Sequence, residues 1–326
     1  MTTKNKNNLE IKTLKIIFMG TSFFAKEILE NLTKKIEVAL VVTQPDKLAG
    51  RKKNLKPSEV KKMALKKKLP LIQPRKLDQC FIKSIQEIKP DLILVASYGV
   101  IIPKKIIDSS EISTDFINIH PSLLPKLRGS APIQTALLKN LKKTGLTIIK
   151  MDAGVDTGDI ILQKELVINK KDTYPILEKK LLKLTNDNLL RTLQKYLDKK
   201  IQSKPQNHRR ASFTKIIKKQ DGLISWNLEA KDIYNKFRAY YLWPQIYTFW
   251  KNKKKLKKII LTEIKIADKT NKEFENSFVY EKEGEILIQT QTGSLILKKI
   301  KPEGKKEMLI KDFINGYPGF LGSYLE

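Results

Sequence analysis

LKIIFMGTSFFAKEILENL, residues 14–32, decides the fold. Its first seven residues are a short apolar run closing on Gly20; Thr21 or Ser22 can then cap a helix whose apolar positions recur at helical spacing to about Leu32. Strand, tight turn and helix in that order open a βα unit. The pattern then repeats. VALVVTQP (38–45) leads into the lysine-rich stretch 46–68, and DLILVASYG (91–99) follows a helical segment around 76–88. After these come DFINIH (115–120), a helix from about Ala131 to Asn140, TGLTIIKMD (144–152), DIILQKELVI (159–168) and a long amphipathic helix from about Asp172 to Lys199. Such alternation predicts an α/β domain over 12–198, with a Rossmann-like, mostly parallel sheet wrapped by helices.

The composition shifts at KKIQSKPQNHRRASFTKIIKK (199–219), which has eight positive residues, one proline and no acid. We read 199–213 as a basic linker. Beyond it the strands are shorter: LISW, PQIYTFW, KIILTEIKIA and SFVYEKEGEILIQTQTGSLILKKI, with one amphipathic helix at 229–240 and turn signals at Glu283-Gly284 and Thr292-Gly293. A smaller, OB-like C-terminal β-barrel is predicted for 214–326.

The chain has 326 residues, with 64 Lys+Arg against 34 Asp+Glu and a net charge of +30. A hydrophobic content of 41% excludes a disordered polycation. The single cysteine, Cys80, excludes an internal disulfide and points to a reducing, cytoplasmic setting. No apolar run is long enough to span a bilayer, and the polar stretch from Met1 to Lys12 does not read as a secretory signal. The charge alone argues weakly for nucleic acid. Only seven of the basic residues are arginine, and the excess divides into +17 over 1–198 and +13 over 199–326, as expected of a general lysine bias. Local clusters are more informative: ten positive residues against Glu59 in 47–68, the acid-free linker, and six lysines in 251–258. The aromatic group Tyr240, Tyr241, Trp243, Tyr247, Phe249 and Trp250 reads as core packing rather than a stack for bases.

Neither a G-x-G-x-x-G turn nor a phosphate loop is present, so NAD and ATP are not expected. The chemistry concentrates in NIHPSLLPKLRGSAPI, 118–133. If 115–120 is a strand, Asn118 and His120 share a face at its carboxyl end, where open α/β sheets place their ligands. MDAGVDTGD (151–159) adds Asp152, Asp156 and Asp159, which with Gly154 and Gly158 make a tight acidic loop between two strands. Its spacing is not that of a calcium loop, and two histidines with one cysteine cannot make the usual zinc set, so no metal is expected. A serine hydrolase is disfavoured because Ser122 lies in a Pro-flanked loop without the G-x-S-x-G elbow. Non-covalent acyl transfer fits better: an amine attacks a carbonyl, Asn and His donate to the oxyanion, and an Asp fixes the imidazole.

IIFMGT, VVTQPDKLAGRKKNLKPSEVK, VASYGVIIPK, NIHPSLLPKLRGSAPIQ, TGLTIIKMDAGVDTGDI, DGLISWNLEAKDIYNKFRAYYLWP and KPEGKKEML together resemble the methionyl-tRNA formyltransferases, within the superfamily that uses 10-formyltetrahydrofolate. The likeness spans nearly the whole chain from Leu14. It departs in the first turn, GTSFFA for the commoner GT-P-x-FA, and in the Pro after His120, where Gly is also common. The resemblance implies transfer of a formyl group from 10-formyltetrahydrofolate, as co-substrate, to the α-amino group of initiator methionyl-tRNA, for translation initiation. It implies Asn118, His120 and Asp156 as catalytic residues, and Ser122, Leu123, Leu124 and Pro125 as folate contacts. Arg51, with Lys52 and Lys53, would grip the tRNA, and Arg209 and Arg210 of the linker are further candidates. A cytoplasmic monomer without metal or membrane attachment is expected. A sugar-nucleotide formyltransferase or a formyltetrahydrofolate hydrolase could use the same trio, but the C-terminal motifs and basic linker speak against both. A non-enzymatic RNA-binding module would leave the trio without a task.

Overall fold

The computed structural model describes residues 14–49, 54–253, 255–267 and 274–326. In chain order the first elements are β1 (Lys15–Gly20), α1 (Phe23–Leu32), β2 (Glu37–Val42), β3 (Lys47–Ala49), β4 (Asn54–Lys56), α2 (Glu59–Lys66), β5 (Leu71–Ile72), α3 (Gln79–Ile88), β6 (Leu92–Ala96), α4 (Lys104–Ile107) and β7 (Phe116–His120). They are followed by α5 (Pro132–Leu138), β8 (Lys143–Lys150), β9 (Ile160–Val167) and α6 (Tyr174–Leu197). Seven strands form one sheet in the order β5-β2-β1-β6-β7-β8-β9. The pairings from β5 to β7 are parallel, and β8 runs antiparallel to β7. The expected mostly parallel α/β sheet is therefore present.

Central position explains the apolar run of β1. It is paired on both edges, and Ile16, Ile17, Phe18 and Met19 are all fully buried, so no alternation of polar residues survives. Ser22 caps α1 by accepting from the Ala25 amide, whereas Thr21 donates to the Tyr98 carbonyl. Phe24, Ala25, Ile28, Leu29 and Leu32 make the inward stripe of α1, each of the larger side chains contributing about 1.5–3 kcal/mol by leaving water. Gly20 lets this turn close: a Cβ there would stand 2.7 Å from the Ala25 methyl and 3.0 Å from the Ala96 carbonyl oxygen.

The contacts divide the chain into two compact units. The first holds the described residues up to Ser130, with Gly145–Leu166 and Lys180–Phe213; the second holds Ala131–Thr144, Val167–Lys179 and Thr214–Glu326. Residues 206–213, placed in the linker by the sequence, make several bonds within the first unit. Arg128 N–H donates to the Ser212 carbonyl at 2.8 Å, Leu127 N–H to Ser212 Oγ at 3.0 Å, and Ser212 N–H to the Pro125 carbonyl.

In the second unit, α7 (Ala230–Ala239) packs on α5, and an antiparallel half-barrel follows. Its strands are β10 (Ile246–Asn252), β11 (Lys255–Ile266), β12 (Val279–Lys282), β13 (Glu285–Gln289), β14 (Ser294–Pro302) and β15 (Met308–Leu309), with α8 (Ile310–Gly316) after them. Strand order is β10-β11-β14-β13-β12, with β15 beside β14. The Glu283-Gly284 turn has φ of 53° and 74°, the paired positive angles of a tight two-residue hairpin. Residues 322–326 clasp both margins of the sheet. Phe249 and Glu326 exchange backbone hydrogen bonds of 2.8 Å on one side, while Val279 N–H donates to the Ser323 carbonyl and Leu325 N–H to the Ser277 carbonyl on the other. Trp250 fills the core below, edge-on to Phe313, Tyr317 and Phe320 with ring centres 5.3–5.8 Å away.

Candidate active site

Strand register brings Asn118 and His120 to one face. Within β7, Asn118 lies between Val95 of β6 and Ile149 of β8, and His120 lies opposite Thr147. Side chains alternate along a strand, so the two polar residues project together while Ile117 and Ile119 enter the opposite layer. His120 is 4% exposed. A buried imidazole needs partners for its nitrogens, and Nε2 lies 2.9 Å from the Leu127 carbonyl oxygen. A carbonyl only accepts, so Nε2 carries the proton.

Asp156 is the hub. Its Oδ1 accepts from Asn118 Nδ2 at 3.1 Å and its Oδ2 from the Gly129 amide at 2.8 Å; the same Oδ2 lies 3.6 Å from His120 Nδ1, ion-pair distance rather than a hydrogen bond. Asp156 stands at φ 54°, in the left-handed region. Its loop closes tightly because Gly158 carries no side chain; a Cβ there would collide with the Lys150 carbonyl. The other two aspartates are engaged away from the strand residues. Asp152 accepts from the Gly154 amide and from Thr157 Oγ1, and Asp159 accepts weakly from Ser203 at 3.4 Å.

Two residues that sequence reasoning missed brace this hub. Gln206 donates its amide to the carbonyls of Asp156 (2.9 Å) and Gly158 (2.7 Å), and accepts at Oε1 from Arg128 at 2.6 Å. Arg128 also donates to His208 Nδ1 at 3.1 Å. Both Arg128 and Gln206 are at most 5% exposed. No local pattern marks Gln206; the one available signal was an arginine surviving in a lysine-biased chain.

The 122–125 segment is divided between inside and outside. Ser122 and Leu124 are buried, with Ser122 Oγ donating to the Lys126 carbonyl, while Leu123 and Pro125 keep partly exposed apolar surface. Thr147 and Gln163 hold the segment in shape: Thr147 Oγ1 donates to the Ser122 carbonyl, and Gln163 donates to the Leu124 carbonyl at 2.8 Å. Among the described residues no group of three or more His, Cys, Asp and Glu could hold a metal ion, and no helix is long and apolar enough to cross a membrane.

Of the basic candidates, Arg51, Lys52 and Lys53 lie outside the described residues. Arg209 and Arg210 are exposed on a one-turn helix, His208–Arg210. In the 251–258 run, Lys251 and Lys253 are exposed, whereas Lys257 and Lys258 sit over rings, 4.1 Å from the centre of Tyr317 and 3.4 Å from that of Tyr247. Burial, then the charge of Lys219, pushes the Lys258 ammonium below its ordinary pKa. The aromatic group is split rather than wholly core: Tyr240, Tyr247 and Trp250 are buried, but Tyr241 and Trp243 are exposed.

Comparison with known proteins bears on most of the chain. Residues 12–193 match the family described as formyl transferase, and residues 216–318 match the formyl transferase C-terminal domain. A methionyl-tRNA formyltransferase of Caldicellulosiruptor saccharolyticus is 40% identical over 306 residues, covering 93% of this chain and 96% of that protein. One from Thermodesulfovibrio yellowstonii is 42% identical over 303 residues, covering 92% and 95%. Solved structures share the fold at lower identity. The N-formyltransferase of Helicobacter canadensis, in complex with folinic acid and dTDP-3-aminofucose, superposes with a TM-score of 0.62 at 20% identity, covering 87% of this chain and 98% of that one. HypX of Aquifex aeolicus, in complex with tetrahydrofolic acid, gives 0.63 at 13%, covering 95% of this chain and 48% of that one.

Proposed function

The chain belongs to the methionyl-tRNA formyltransferase family, and from that membership we propose that it moves the formyl group of 10-formyltetrahydrofolate to the α-amino group of methionyl initiator tRNA. The observation that carries this reading at the level of residues is the convergence of Asn118, His120 and the Gly129 amide on the Asp156 carboxylate. In the net reaction the methionine nitrogen bonds to the formyl carbon, the bond from that carbon to N10 breaks, and N10 takes up the proton that the amine loses.

The chain's own groups divide the work. One hydrogen of the Asn118 amide is held by Asp156, which leaves the second to donate to the negative charge that develops on a carbonyl oxygen under amine attack. In this state His120 has its Nε2–H on the Leu127 carbonyl. His120 joins Asn118 as a second donor by turning its Nε2–H from the Leu127 carbonyl to the oxygen of the attacked carbonyl, with Nδ1 kept beside Asp156 Oδ2, 3.6 Å away. Asp156 orients both donors at once. The folate supplies the formyl group, and Leu123 and Pro125 offer apolar surface suited to an aromatic ring system beside this centre. Arg51, Lys52, Lys53, Arg209 and Arg210 are the proposed contacts to the tRNA backbone, in a monomer acting in the cytoplasm.

Incubation with 10-formyltetrahydrofolate and charged initiator tRNA, charged elongator tRNA, or no acceptor tests the reading. Formyl transfer to the initiator methionyl-tRNA is expected. Turnover at equal rate without any acceptor would make the protein a hydrolase, and no turnover under any condition would favour a binding module.

A further inference from the structure

Three successive residues, Leu127, Arg128 and Gly129, each hold one part of the site. The Leu127 carbonyl accepts from His120, the Gly129 amide donates to the Asp156 carboxylate, and the Arg128 guanidinium between them reaches Gln206. Leu127 and Gly129 both have positive φ, 62° and 106°, so the segment is sharply contorted. It is braced from residues 206–213: Ser212 holds the backbone of Leu127 and Arg128 through its hydroxyl and carbonyl, and Gln206 meets the Arg128 side chain. Gln206 in turn grips the opposite wall, donating to the carbonyls of Asp156 and Gly158.

We propose that Gln206 is a positioning residue for Asp156, a buried amide that ties the aspartate's left-handed loop to the Leu127–Gly129 segment so that one carboxylate meets Asn118, Gly129 and His120 together. The chemistry of the amide fits this task. Two backbone carbonyls need donors and a guanidinium needs an acceptor, and a primary amide is the uncharged side chain that provides both from one end. A glutamate would satisfy Arg128 but present oxygen to two carbonyls; a leucine would satisfy neither. The bracing also has a cost that simple stability would not select: Arg128 Nε is buried without a partner. A non-glycine residue at φ 54° tends to relax, and loss of the grip on its carbonyl lets the carboxylate turn away from Gly129 and His120. The link to catalysis rests on the functional reading given above.

The test uses the full chain with Gln206→Glu and Gln206→Leu. Amide hydrogen exchange followed by NMR reads the Gly129 N–H, which is protected by the Asp156 carboxylate in the parent protein. Exchange at Gly129 at least tenfold faster in both variants is expected, with the amides of Ile117 and Ile119 in β7 unchanged. In formyl transfer, kcat is expected to fall at least tenfold, with the KM for folate and for tRNA within twofold of the parent. The near-isosteric Glu variant keeps the test decisive if the Leu variant fails to fold. Unchanged exchange at Gly129, parent-like kcat, or a Glu variant that behaves as the parent would overturn the proposal, the last because Gln206 would then serve only Arg128. If the parent itself transfers no formyl group while Gly129 exchange still accelerates, the functional reading falls and the positioning of Asp156 stands.

Discussion

Asp156 illustrates how far single residues could be identified beforehand. The two-residue period of a strand was enough to put Asn118 and His120 on one face, but the spacing of 151–159 by itself offered three aspartates, and it was the family resemblance that pointed to Asp156. In the folded loop Asp152 and Asp159 are engaged by Thr157 and Ser203 while Asp156 meets the strand residues. Gln206 was illegible for a different reason: its partners lie 50 and 78 positions away, and pairings so distant leave no period in the sequence. Removing Asn118 or His120 by Asn118→Ala or His120→Ala should lower kcat by about 10²–10³, the usual cost of one oxyanion donor, without comparable loss of tRNA affinity. Steady-state kinetics beside a filter-binding assay checks both halves. Gly158→Ala should destabilise the protein by about 1–3 kcal/mol, since the methyl meets the Lys150 carbonyl, and a lowered Tm in calorimetry would register it.

Elements were legible where one physical rule dominates. The apolar runs of β1 and β6 announced buried parallel strands, and the helix expected from about Ala131 begins at Pro132, whose fixed φ suits a first helical position. The β3–β4 pair was hidden inside the lysine-rich stretch, because residues that face solvent on both sides carry no hydrophobic alternation; Leu48 and Leu55 are 64% and 68% exposed. Its base is fastened by Asp46, which accepts from Gln73 at 2.9 Å and pairs with Lys61 at 2.8 Å. These partners, the Gln73 hydrogen bond first, hold the Asp46 carboxyl below its ordinary range. A carboxylate whose pKa is lowered by folding stabilises the fold fully above its unfolded value, about 3.9, and that contribution fades as pH falls through the lower folded value. Asp46→Asn should therefore loosen the β3–β4 base at neutral pH, seen as faster amide exchange at Leu48 and Leu55, and the difference from the parent should shrink as the pH falls below the ordinary carboxylate range. The short helix His208–Arg210 carries the other elemental prediction. Arg209→Ala with Arg210→Ala should reduce the slope of log K against log salt for tRNA by about 1 for every phosphate that the variant no longer neutralises, as titrations at several ionic strengths would show.

For the molecule as a whole, the charge of +30 was the most conspicuous sequence feature and the least specific. The alternation of strands and helices specified the architecture; the charge acquires meaning only where it is exposed and free of rings, as at Arg209, Arg210, Lys251 and Lys253. The half-barrel was legible as short strands with turn glycines, but its clasp was not, since residues 322–326 have no strand-like pattern. Deleting them should expose the unpaired margins at Phe249 and Val279, lowering Tm and increasing light scattering on heating, with the removal of two sets of backbone bonds as the cause. The division into two interleaved units has a consequence for synthesis. A ribosome delivers α5 long before α7, so Ile133, Ala136 and Leu137 leave the exit tunnel with their helical partner still untranslated. The second unit cannot complete its core in the order in which its residues are made, and a nascent chain stalled before residue 230 should be held by chaperones at the very segment that follows Leu127–Gly129.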